Sequence, residues 1–169
     1  MNRICTLTLA ATSLLFLTMV LPAGEAAAQS AKDLVGSWTL VSLTAGEGDK
    51  KSEPYGPSPH GLMMIDASGR FSITIARKGV PKFAGNSRTK GTAEENQAAV
   101  HGSIAYFGKY TVSEADKMLS MTVEASNYPN FEGSSQKRLI ALKGDELTLT
   151  NPNPSAGGGA ATQVWRRAK

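Results

Sequence analysis

The sequence predicts an all-β protein, an eight-stranded antiparallel up-and-down β-barrel with one short helix. Apolar and polar residues alternate with period two through much of 104–142, as they do in strands that bury one face. Turns rich in Gly, Asn, Asp and Pro separate these runs. Helices do not alternate with the strands along the chain, which argues against a parallel sheet, and closing the sheet into a barrel removes its exposed edges.

The clearest hairpin lies in the first half of the chain. Phe71, Ile73 and Ile75 alternate with polar or small residues, and the segment 66–69, with its Asp and Gly, supplies the turn before them. The same criteria applied along the chain predict eight strands, at residues 36–44, 60–66, 70–77, 103–113, 117–126, 135–143, 146–151 and 161–167.

One helix is predicted between the third and fourth strands. Thr92 is followed three residues later by Glu95, a capping box in front of the apolar residues of 98–100.

The two histidines, His60 and His101, are far apart and have no metal-ligand spacing around them. The sequence therefore predicts no metal site and no cofactor, and no residue is assigned a catalytic role in the preferred interpretation.

The first 28 residues are predicted as a cleaved secretory signal, and 29–169 as the barrel domain. Arg3 precedes an apolar run at 7–21, and small residues at 26–28 suit a cleavage site. Cleavage would remove Cys5, the only cysteine. We expect an exported protein, periplasmic or extracellular, without stable membrane insertion. The alternative is an uncleaved membrane anchor.

Length and charge limit the function. A chain of 169 residues with 41% hydrophobic content suits one domain with a core. The net charge is +4, and its basic residues are scattered instead of forming a stripe interleaved with aromatics. This distribution argues against nucleic-acid binding and favours a mildly basic surface. The oligomeric state is left open.

Several segments, in this order, resemble the bacterial and fungal lipocalin-like domain family, small relatives of the calycin barrels. The resemblance rests on residues 34–42, 61–71, 105–110, 126–133, 136–138 and 147–150. It implies an eight-stranded barrel with a cup-like interior, usually associated with small apolar ligands. Relatives tend to carry histidine in the strand equivalent to 117–125, which this chain lacks, so no polar role is carried over to that strand.

The resemblance also implies how one end of the barrel is closed. In calycins, the tryptophan of Gly-x-Trp packs at the closed end against an arginine of the last strand, and Gly36 and Trp38 match that opening. We predict Arg167 as the arginine because it shares a strand face with Trp165. A register slip of one residue would place Arg166 there instead.

Aromatic residues are predicted to line the cup. Phe71, Tyr106 and Tyr110 are expected to form the wall, and Gly108 to open space between the two tyrosines. Tyr128 and Phe131 are predicted as loop residues that fold back onto the barrel. Tyr55, in the loop 46–59, is either part of a plain connection or lies over the mouth of the cup.

Two charged residues complete the candidate site. Glu124 and Arg138 lie on neighbouring predicted strands and could face each other. Pointing inward, they would have to pair, and they could orient a ligand carbonyl or hydroxyl. A structural ion pair near the rim is the alternative. Arg138 shares a face with Ile140 and Leu142, so we predict it as the polar anchor of the ligand.

Three functions agree with this pattern. The first is an exported, non-catalytic barrel that binds a small, mostly apolar molecule in its interior. The second is an isomerase or cyclase acting in the same cup, with Glu124, Arg138 or Tyr110 handling protons. The third is a filled barrel that acts through surface contacts with a partner protein. The small number of ionisable residues favours binding over catalysis.

Overall fold

Eight antiparallel strands close a barrel in which each strand pairs with the next and the last returns to the first. The computed structural model describes residues 30–154 and 159–169, so the predicted signal lies outside the described residues. Within that part of the chain, no helix has the length and apolarity needed to cross a bilayer. The strands are β1 (Gly36–Ala45), β2 (His60–Ile65), β3 (Arg70–Ala76), β4 (Ser103–Ser113), β5 (Met118–Ser126), β6 (Ser135–Lys143), β7 (Glu146–Asn151) and β8 (Ala161–Arg167). The predicted fold is confirmed.

The two ends of the barrel differ in their connections. At one end, tight turns join β2 to β3, β4 to β5 and β6 to β7, and helix α1 (Ala31–Leu34) lies beside them. At the other end are four longer connections, and the one between β3 and β4 contains helix α2 (Ala93–His101). Long loops are where barrels vary and carry function, so the second, open end is the place to seek a site.

Helix α2 begins as the sequence predicts. The Glu95 amide donates to Thr92 Oγ1 (3.2 Å), and the Thr92 amide donates to Glu95 Oε2 (2.9 Å), which completes the capping box. The Glu95 carboxylate also accepts a hydrogen bond from the Ala84 amide (2.7 Å). These bonds hold the pKa of Glu95 below its usual value. The cap thereby fixes both the helix start and the loop before it.

The inward faces of the strands form one apolar core. β1 contains a bulge between Leu40 and Ser42, which lets both Leu40 and Leu43 point inward while Val41 points out. In β5, Leu119, Met121 and Val123 are buried. The largest fully buried side chains are Trp38, Trp165, Leu34, Met63, Ile73, Ile75, Leu119, Met121, Leu147, Leu149 and Val123.

Trp38 and Arg167 close the end beside α1. The Trp38 indole is fully buried, and its Nε1–H donates to the carbonyl oxygen of Leu34 (2.9 Å). The Arg167 guanidinium lies 4.2 Å from the centre of the Trp38 ring and donates to the carbonyl oxygens of Val35 and Asp33. Arg166 is exposed and lies near Glu146 instead. The structure thus places Arg167, and not Arg166, over Trp38.

Gly36 and Gly108 are required for different reasons, the first by its backbone angle and the second by a close backbone neighbour. Gly36 has φ +138°, and a Cβ there would lie 2.8 Å from Arg167 Nη1. Gly108 lies at a bulge in the pairing of β4 with β5, where a Cβ would overlap the carbonyl oxygen of Thr122. The prediction that Gly108 opens space inside the barrel is therefore wrong, because the neighbouring backbone occupies that space.

Candidate ligand-binding site

A pocket of about 120 Å³ lies inside the open end of the barrel. Its apolar walls come from inward positions near the strand ends, such as Leu43, Ile75 and Ile104. Loop residues complete it, among them Tyr55 and Phe131. For comparison, an engineered apolar cavity of roughly 150 Å³ is known to hold benzene. The inner pocket therefore has about the size of one aromatic ring.

The polar side chains of the pocket come from three strands. Arg138 lies on β6, Asn151 ends β7 and Gln163 lies on β8, and all three are buried. The Gln163 oxygen accepts from the Trp165 indole (3.1 Å), and the Asn151 oxygen accepts from the Asn153 amide (3.1 Å). Each amide oxygen therefore already accepts one hydrogen bond, and the NH₂ group of each amide is a donor that a ligand can use.

Arg138 is the one charged residue among the described residues that line this pocket. It is 4% exposed, and its guanidinium donates to the Lys137 carbonyl oxygen (2.9 Å) and, more weakly, to Gln136 Oε1 (3.4 Å). The ion pairs found in residues 30–154 and 159–169 are Arg70–Glu124, Arg166–Glu146 and Arg167–Asp145. The charge of Arg138 is thus surrounded by neutral oxygens.

Tyr106 places a phenol beside this cation. Burial raises the pKa of the Tyr106 phenol, and the positive charge of Arg138 opposes that rise. The ring packs edge-to-face on Phe71 below it (5.8 Å between centres) and on Phe131 above it (5.6 Å). Phe131 in turn packs on Tyr128 (5.2 Å). An aromatic column therefore runs from the core to the rim.

A second space adjoins the pocket on the outside. This outer groove, of about 450 Å³, lies between α2, the loop around Tyr55 and the short 3-10 turn Pro129–Phe131. Pro54, Tyr55, Ile104 and Phe131 line both spaces and so form the partition between them. The inner pocket alone is smaller than typical sites for drug-sized ligands, at roughly 300–1,000 Å³, but a ligand reaching past the partition would have that room.

Two of the predicted ligand-contact residues, Tyr106 and Arg138, line the pocket. Phe71 instead packs below Tyr106, at the core end of the aromatic column. Tyr110 lies nearer the closed end, where its hydroxyl donates to the carbonyl oxygen of Asp66 (2.8 Å). That bond holds the turn between β2 and β3. Neither Phe71 nor Tyr110 is among the residues that line the pocket, so the prediction that they form its wall is wrong.

Glu124 does not face Arg138. With Val123 buried, the alternation of β5 turns Glu124 outward, where its carboxylate pairs with Arg70 (2.6 Å). Both partners are substantially exposed, and the hydrogen bond to Glu124 raises the pKa of Arg70. The predicted pairing of Glu124 with Arg138 is wrong because Leu119, Met121 and Val123 take the core face of the strand.

Sequence reasoning missed the two buried amides. Gln163 alternates with Trp165 on β8, so its inward position could have been found from that tryptophan. Asn151 alternates with Leu149 in the same way on β7. Phe131 and Tyr55 line the pocket, which agrees with the expectation that Phe131 folds back onto the barrel and with the alternative that Tyr55 lies over the mouth of the cup. Their exact positions carry no signal in the sequence, because period-two alternation does not extend into loops. Within residues 30–154 and 159–169, no group of His, Cys, Asp and Glu side chains is arranged to hold a metal ion.

Comparison with known proteins agrees with this architecture. The sequence model of the lipocalin-like domain matches residues 35–168. The 4'-hydroxy-3'-methoxypropiophenone carrier protein ppsC of Aspergillus oryzae (strain ATCC 42149 / RIB 40) is 32% identical over 106 residues. That match covers 57% of this chain and 96% of the relative. The chain belongs to the lipocalin-like domain family.

Proposed function

We propose that the chain is an exported, non-catalytic carrier that binds a small, mostly apolar aromatic molecule in the pocket at the open end of the barrel. The observation that carries the proposal is the pocket itself, with apolar walls and a few buried polar groups around Arg138. Small-molecule sites in proteins have this composition, since apolar walls supply affinity and a few polar groups fix orientation.

The size of the site and the relative support an aromatic ligand. The inner pocket has room for one ring, and Phe131 and Tyr106 offer aromatic edges and faces to it. The relative from Aspergillus oryzae carries a propiophenone, a one-ring ketone. Export is proposed from the apolar N-terminal run and the small residues that follow it.

Binding is proposed in preference to isomerisation or cyclisation because of the groups that line the pocket. The described lining includes no carboxylate and no imidazole, and Glu124 lies on the outside of the barrel. Burial raises the pKa values of both Tyr55 and Tyr106, so neither phenol ionises near neutral pH to act as a general base.

Isothermal titration of the protein with 4'-hydroxy-3'-methoxypropiophenone tests the proposal. We expect saturable binding to one site. Ala161→Leu adds a larger side chain at the pocket lining and should weaken binding by about tenfold or more, an effect of about 1.4 kcal/mol. Ala141→Leu, the same change on the exposed face of β6, is the matched control and should bind like wild type. Equal binding by both variants, or no saturable binding by wild type, would contradict the proposal.

A further inference from the structure

The polar groups of the pocket are biased towards hydrogen-bond donors. The oxygens of Gln163 and Asn151 are already engaged by the Trp165 indole and the Asn153 amide. Their NH₂ groups and the Arg138 guanidinium are donors. A ligand that presents acceptor oxygens to these donors would be hydrogen-bonded by them.

The charge of Arg138 adds a second requirement. A buried guanidinium is costly unless it is paired, and its partners among the described residues are a carbonyl, an amide oxygen and the neighbouring Tyr106 phenol, all neutral. None of the ion pairs among the described residues includes Arg138, and no carboxylate lines the described part of the pocket. Among the described residues, no anion neutralises this positive charge in the pocket.

We infer that the ligand carries an ionised oxygen on its aromatic ring, a carboxylate or an acidic phenolate, which pairs with Arg138. This inference rests on the proposed function, since it names the class of molecule for the same pocket. The planar guanidinium suits such an oxygen because it can donate two parallel hydrogen bonds to a carboxylate, or a charge-assisted bond to a phenolate. The apolar walls then hold the ring, and Tyr55 and Phe131 lie where its substituents leave the pocket.

Two matched ligand pairs test the charge separately from the shape. Benzoate and benzamide have nearly the same outline, and 4-nitrophenolate and 4-nitroanisole differ in the ionisable oxygen. Wild type should bind the ionised member of at least one pair about tenfold or more tightly, since hydrogen bonds to charged groups are worth more than neutral ones. The pair that shows this preference identifies carboxylate or phenolate as the preferred group. Bound 4-nitrophenol should also show its ionised absorption band at a pH at which the free compound is mainly neutral.

Arg138→Met should abolish the preference for the charged member, and Arg138→Lys should keep part of it. Arg70→Met is the matched control, because it removes one positive charge from the outside of the barrel and should leave the preference unchanged. If Arg138→Met does not fold, the inference is still tested by the affinity ratios of wild type and of Arg138→Lys for the ionised and neutral members of each pair.

Each result has a distinct meaning. Neutral members that bind wild type as tightly as the ionised ones would overturn the inference while leaving the proposed function intact. If Arg138→Met still prefers the ionised members, the inference would also be overturned, because another group would then recognise the charge of the ligand. No binding of any of the four compounds or of the propiophenone would overturn both proposals.

Discussion

A single added methyl group at Gly108 distinguishes the observed packing from an open interior. In the structure, the Cβ of an alanine there would overlap the Thr122 carbonyl oxygen and lie 3.0 Å from the Glu124 amide nitrogen. Both are backbone atoms of β5, held by the pairing of that strand with β4. Neither can turn aside as a flexible side chain would, so the two strands must move apart at the bulge.

The size of the effect follows from that geometry. Overpacking a core costs typically about 1–3 kcal/mol, and we expect Gly108→Ala to cost about 3 kcal/mol because backbone must shift. For a domain of this size, that loss lowers the melting temperature by roughly 10 °C. An open space at Gly108 predicts the opposite sign, since replacing glycine by alanine without strain stabilises a protein by about 0.4–1 kcal/mol.

Gly85→Ala is the matched control. Gly85 has nothing within 4 Å of the position of its Cβ, so the same substitution should be neutral or slightly stabilising there. Denaturant unfolding followed by circular dichroism would give the free energies of both variants. If Gly108→Ala unfolds at the same midpoint as wild type and Gly85→Ala, the bulge between β4 and β5 is misplaced and our explanation of Gly108 fails.

Three further outcomes are expected. Trp38→Ala should lower the free energy of unfolding by about 3–5 kcal/mol, because it empties a fully buried site, and an unchanged denaturant midpoint would show that the ring does not close the barrel. Glu124→Gln should change the free energy of unfolding by less than about 1 kcal/mol, since its pair with Arg70 is exposed. The variant should bind the propiophenone with wild-type affinity, and a large loss of affinity would show that Glu124 belongs to the binding site. N-terminal sequencing of the native protein should find a start near Gln29, whereas an intact Met1 on membrane-bound protein would refute export and release.

The strands could be predicted from the sequence because their alternation is strong. All eight predicted ranges lie within two residues of the observed ends, and the inward position of Arg138 follows from its spacing to Ile140 and Leu142. Once Val123 is assigned to the core, the alternation of β5 also places Glu124 on the outer face of the strand. The sequence alone leaves that choice open, because either face of β5 could be the buried one.

The bulges and loops account for what could not be predicted. A bulge changes the face of every residue beyond it. The one after Leu40 has no distinctive local sequence, and Gly108 marks the second without showing that the backbone of β5 fills the space beside it. The pocket also depends on Tyr55 and Phe131, which reach it from loops of the open end. Their positions follow from loop conformation and from the contact with Tyr106, and period-two spacing holds no information on either.

A crystal structure of the protein with 4'-hydroxy-3'-methoxypropiophenone tests the location of the site most directly. We predict the ring in the open-end pocket, in contact with Ile75 and Phe131, and one ligand oxygen within hydrogen-bonding distance of the Arg138 guanidinium. The most informative alternative position is the depression of about 570 Å³ on the outside of the closed end, beside Gly36 and Met64. A ring bound there, with the open-end pocket empty, would contradict the assignment of this pocket as the carrier site.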